Sequence, residues 1–121
     1  MDERARADRF LPLKPNDFHI LFALLDGPLH GYAIARWILE RTDGRLRLEA
    51  GNLHRTLRKL VRDGLVAPSQ DRPAAEEDDE RRRYWELTGL GRTVVAADAG
   101  RMRGLVAEAE ARKLIPRVGG A

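Results

Sequence analysis

Wound at about 3.6 residues per turn, residues 51–66 (GNLHRTLRKLVRDGLV) divide into two unlike faces. Leu53, Leu57, Leu60 and Val61 fall together at the spacing of a core-facing stripe. Asn52, Arg55, Arg58, Lys59 and Arg62 occupy the arc left free, and no acid precedes Asp63 to pair them. A chain containing this helix must supply neighbours that bury the leucines while leaving a single-signed cationic side open. That argues for several short helices packed together, with this one at the surface.

The cationic excess is local. The whole chain of 121 residues carries 22 basic against 19 acidic side chains, a net charge of +3. Between Arg41 and Asp63 there are seven basic residues and three acids. Such an imbalance suits a polyanionic partner. The length fits one domain with its own core. With no cysteine, disulfides, thiol catalysis and cysteine-based zinc sites are excluded. The charged start MDERARADRF lacks the apolar stretch of a secretion signal, and no run is long enough to span a bilayer, so a cytoplasmic protein with no membrane contact is expected.

Residues 1–15 read as a flexible N-terminal arm ending in LPLKP. A first helix, capped by Asn16 or Asp17, turns Phe18, Leu21, Phe22 and Leu25 inward and stops at Gly27 and Pro28. A second, from about His30 to Thr42, buries Ile34, Trp37 and Ile38, with Tyr32 as a further candidate. RLRLEAG is a short strand or an extended link into the amphipathic third helix, which Gly64 ends. The flanks GLVAPS and RRYWEL can pair as a two-stranded antiparallel ribbon around a loop at about 68–81, rich in Pro, Ala and acid, which is expected to be mobile.

From Thr88, a good N-cap, a long alanine-rich helix runs to about Leu114. Val95, Ala99, Met102, Val106 and Ala109 recur in steps of four and three, the spacing of a helix that packs on another helix, and they are the expected dimer interface. Gly100 and Gly104 either permit close backbone approach or mark a bend. The expected fold is therefore mainly α with a small β-hairpin. It is a winged helix-turn-helix domain over 16–87, a C-terminal dimerisation helix over 88–115 and a disordered tail over 116–121. In that order of elements the third helix presents its free side to the major groove of DNA.

Three stretches carry a family resemblance. GPLHGYAIARWI, LEAGNLHRTLRKLVRDGLV and RRRYWELTGLGR, in this order and spacing, resemble the signature segments of PadR-type winged-helix transcriptional regulators, over roughly residues 17–114. The resemblance implies a homodimeric DNA-binding repressor with the wing between the second and third stretches and the last helix as the dimer arm. It implies that His30, Gly31 and Tyr32 form the phosphate-holding start of the second helix, that Gly51, Leu53, Arg55 and Leu57 fit the recognition helix, and that Arg82, Arg83 and Tyr84 form the basic end of the wing. Leu87, Thr88 and Gly91 match the start of the last helix. Asn52 stands where threonine is common and His54 where tyrosine is. The acidic run Glu76–Glu80 is a further departure, and a tip of that charge should point away from DNA or stay disordered. Some members of the family bind a flat aromatic compound at the dimer interface, which makes Trp37 a candidate contact for a small aromatic effector.

The expected DNA-binding set is Tyr32, Asn52, His54, Arg55, Arg58, Lys59, Arg62, Arg82 and Arg83, on double-stranded DNA. Tyr32, Lys59, Arg82 and Arg83 are assigned to phosphates, and Asn52, Arg55 and Arg58 to base edges. Asn52 could equally satisfy backbone amides, and His54 could be half-buried. His19, His30 and His54 have no ligand spacing, so no metal is expected, and no cofactor is expected. Ser69, the sole serine, sits in a loop without a base, and no phosphate-binding loop is present, so the chain is not expected to be an enzyme. The rival reading is a winged-helix module that binds an acidic protein surface.

Overall fold

The computed structural model describes residues 2–70 and 83–117. Its elements are α1 (Glu3–Asp8), α2 (Pro15–Ala23), β1 (Leu29–His30), α3 (Gly31–Arg41), α4 (Ala50–Arg62), β2 (Val66–Ser69), β3 (Tyr84–Leu87) and α5 (Gly89–Ala111). Helices α2, α3 and α4 pack on one another around Ile20, Leu21, Leu24, Ile34, Ile38, Leu57 and Leu60, all buried. The sheet closes one side, in the order β1, β3, β2. This is the winged helix-turn-helix arrangement, with a long helix appended.

Local chemistry explains the boundaries. Pro15 starts α2, where a missing N–H costs nothing. At the head of α3 the His30 ring takes the place of a hydroxyl cap, its Nδ1 accepting from the Ala33 amide at 3.1 Å. Gly64, at φ +80°, supplies the left-handed residue after α4, and Leu65 N–H closes back on the Leu60 carbonyl at 2.9 Å. Thr88 caps α5 through its hydroxyl, which accepts from Gly91 N–H at 2.9 Å. Helix α5 runs unbroken through Gly100 and Gly104.

Four expectations are corrected. The N-terminal arm is not loose over its length. Asp2 caps α1 by accepting from the Ala5 amide at 2.8 Å, and Ala7 is wholly buried where α1 packs on α5. A helix this short is held by packing, which its charged sequence conceals. The ribbon has a third strand, because Leu29 and His30 pair with Trp85 and Tyr84. Two residues are too few to show an alternation. In α2 the inward face is Asp17, Ile20 and Leu21, continued by the C-cap Leu24, while Phe22 is exposed and stacks on Phe18 at 5.5 Å. Tyr32 is 70% exposed rather than part of the core.

Val95, assigned to the dimer seam, is also corrected, since only 3% of it is exposed within the subunit. Helices α1 and α2 cover the first half of α5, so Gly91, Val94, Val95 and Asp98 face the chain's own core. Asp98 is buried there and accepts from Arg101 Nε at 2.7 Å. Most of the wing loop, including Glu76–Glu80 and Arg82, and the end of the tail lie outside the described residues.

Candidate nucleic-acid interface

Helix α4 puts Leu53, Leu57 and Leu60 into the core, which fixes where every other side chain on it points. At about 100° per residue, Arg62 lies roughly opposite Leu53, and Arg55 and Arg58 fall within about 40° of Arg62. All three arginines are exposed, and none pairs with a carboxylate among the described residues. Asn52 and His54 are exposed on the two flanks, so the half-buried position considered for His54 is not the one it takes. Thr56 is turned back on its own helix, its hydroxyl donating to the Asn52 carbonyl at 2.9 Å.

Lys59 departs from its neighbours. Its Nζ donates to Asp17 Oδ2 at 3.0 Å, across to the first turn of α2. The Asp17 side chain is only 8% exposed and that of Lys59 46%. Stranding the carboxylate would cost about 3 kcal/mol, the lower end for a buried pair because Lys59 is half exposed. A solvent-exposed ion pair returns at most about 1 kcal/mol. Chain order by itself suggests no more for Asp17 than a helix cap. A signal for its burial is nonetheless present, since Asp17, Ile20, Leu21 and Leu24 share one helical face and an acid on such a face needs a counter-charge.

Beside α4 a groove of about 460 Å³ opens between three elements. Its walls are His30 and Tyr32 from the head of α3, Leu53 and His54 from α4, and Arg83 and Trp85 from the wing strand. The Tyr32 and His30 rings stack at 6.3 Å, and Tyr84 meets His30 edge-on at 5.4 Å. Arg83 makes the rim cationic, Leu48, Leu53 and Leu57 make the floor apolar, and Gly31 and Tyr32 of the first turn of α3 lie on the lining. Arg83 is exposed at the rim. Trp37 lies elsewhere, against Phe22 at 5.9 Å and beneath the Arg41 guanidinium at 5.0 Å.

The geometry thus joins an arginine face to a cation-rimmed groove, and a family match decides what the arrangement belongs to. Residues 20–97 match the family described as transcriptional regulator PadR-like. The chain is a member of the PadR-like family. That stretch runs from α2 through the first half of α5, so it contains both the arginine face and the groove. PadR-like proteins are transcriptional regulators and not enzymes.

Among solved structures, this PadR-like chain is similar to a PadR family transcription regulator from Clostridium difficile R20291, at 20% identity and a TM-score of 0.65, covering 84% of this chain and 100% of that one. It is also similar to Bacillus subtilis PadR in complex with operator DNA, at 20% identity and a TM-score of 0.57, covering 71% of this chain and 47% of that one. A curated relative, an uncharacterized 37.1 kDa protein in transposon TN4556 of Streptomyces fradiae, is 40% identical over 83 residues, 69% of this chain. The match spans 21% of that relative's length.

Proposed function

We propose that this PadR-like regulator is a repressor that binds an inverted-repeat operator as a homodimer. The observation that carries the reading is the outward row Arg55, Arg58 and Arg62, exposed on a helix whose opposite side is locked in the core. With α4 in the major groove, Arg55 and Arg58 meet guanine edges and Asn52 meets an adenine. The phosphate strand that separates the two grooves then runs along the cleft between α4 and the wing. Tyr32, His54 and Arg83 line that cleft and hold phosphate oxygens, Arg62 holds a further one, and the sequence adds Arg82 next to Arg83. Repression follows from occupation of the operator.

Removing Arg58 as Arg58→Ala should weaken binding to the preferred duplex by about 1 to 3 kcal/mol and relax the choice of base at one position. The melting temperature should stay within roughly 2 °C, because the side chain is exposed and has no ion-pair partner among the described residues. Selection of bound duplexes from a random pool, followed by titration of parent and variant, checks both statements. Equal affinity of the two proteins for the selected duplex would defeat the assignment. A selected pool with no inverted repeat would defeat the symmetry. The acidic-partner alternative predicts binding that ignores DNA and depends weakly on salt.

The dimer reading rests on α5. Its 23 residues extend about 34 Å, more than the domain beneath can cover. Met102, Val106 and Ala109 continue the same helical face that buries Val94, Val95 and Asp98, and Leu105 lies beside them. Leu105 and Val106 remain 55% and 46% exposed within the subunit. Arg103 and Glu110 share one flank of this face. In a two-fold antiparallel contact each flank meets its own counterpart, so Arg103 faces Glu110 of a second copy. Ala99 stands at the upper margin of that contact. Met102→Glu, which sets a charge in the contact, should give monomers by sedimentation, and a persisting dimer would refute the interface. Two α4 helices related by this axis would place half-site centres about 10 bp, or a multiple of it, apart.

A further inference from the structure

We infer that Asp17 restrains the DNA affinity of this protein by withholding Lys59 from the phosphate backbone. The inference rests on the reading of α4 as the major-groove helix. Lys59 stands at the edge of the arginine face, one position from Arg58 and four from Arg55, where a lysine stem could swing to a phosphate. Its ammonium is instead 3.0 Å from Asp17 Oδ2. Asp17 cannot follow it outward, because the carboxylate belongs to the buried side of α2 with Ile20 and Leu21. Arg9, Lys14 and Asp63 line the same cleft, yet among the described residues Lys59 alone pairs with Asp17.

A phosphate could claim Lys59 only by taking from the buried carboxylate the one counter-charge paired with it among the described residues, and the competition favours the internal pair. With Arg55 and Arg58 on base edges, the α4 cation available for counterion release at a phosphate is then Arg62. The affinity given up is of the sequence-independent kind, since a phosphate contact strengthens binding to every duplex alike. Asp17 thus connects the packing of α2 to the strength with which α4 holds generic DNA.

The test is the salt dependence of binding to a random-sequence duplex. Asp17→Asn removes the charge and frees Lys59, so the log–log slope should steepen by about 0.9, an extra loss of affinity of roughly 3.5-fold between 50 and 200 mM salt. At the lower salt this variant should bind more tightly than the parent. Lys59→Gln should leave the slope unchanged, and Arg62→Gln, which removes a phosphate contact, should flatten it by about 0.9. The double variant Asp17→Asn with Lys59→Gln strands no charge, so it should fold and return the parent slope even if Lys59→Gln alone does not fold.

A flattening by Lys59→Gln as large as that by Arg62→Gln would overturn the restraint and leave the functional reading standing. So would identical slopes for Asp17→Asn and the double variant. An unchanged slope for Arg62→Gln would overturn the functional reading, and this inference with it.

Discussion

Leu57→Ala should lower stability by about 3 kcal/mol, a fall in melting temperature of about 12 °C at roughly 4 °C per kcal/mol. Leu57 is 2% exposed and occupies the middle of the inward stripe of α4, between Leu53 and Leu60. Truncation removes three methyl or methylene equivalents of buried apolar surface and leaves a void that the packed α2 and α3 cannot fill. Because the floor of the cleft beside α4 includes Leu57, part of the void opens to solvent, which keeps the cost below the upper end of the range. A thermal melt checks the figure. A melt matching the parent would mean that α4 is rotated about its axis, and the arginine face with it.

The second large effect belongs to Gly91→Ala, expected to cost about 3 kcal/mol in a urea titration. A Cβ at this position would run into the backbone carbonyl of Leu65 and come within 2.9 Å of Leu87 Cδ1. Backbone cannot give way as a side chain can. Here the chain is fastened twice more, since Thr88 N–H donates to the Leu65 carbonyl at 3.1 Å and the Thr88 hydroxyl donates to the Gly64 carbonyl at 2.6 Å. The first turn of α5 is thereby pressed onto the turn that ends α4, and displacing it also disturbs the end of α4. Gly104→Ala in the same helix makes the control. Nothing lies within 4 Å of the added carbon there, so the change should stabilise by up to about 1 kcal/mol. Equal melting of the two variants would remove the steric account of Gly91.

The helices α2 to α5 and the strands β2 and β3 could be read from the chain because each carries a periodic or punctuating signal of its own. The leucines of α4 repeat at helical spacing, Gly64 marks its end, and Thr88 caps α5. The outward row Arg55, Arg58 and Arg62 was legible for the same reason, since fixing the leucines fixes the opposite side. Elements that exist only by virtue of a neighbour were not legible. Helix α1 looks like a charged arm until α5 is beneath Ala7, and β1 looks like a loop until β3 lies beside it.

The same distinction runs through the site. Local order along the chain determined that an amphipathic cationic helix, a ribbon and an overlong final helix would succeed one another, because apolar spacing and turn residues act within a few positions. Tertiary contact alone decided that Lys59 answers to Asp17, that Val95 belongs to the core and Leu105 and Val106 do not, and that Tyr32, His54 and Arg83 share one cleft. Each of those outcomes depends on which side chain of a distant element arrives opposite, and hydrophobic periodicity specifies a face without naming its partner.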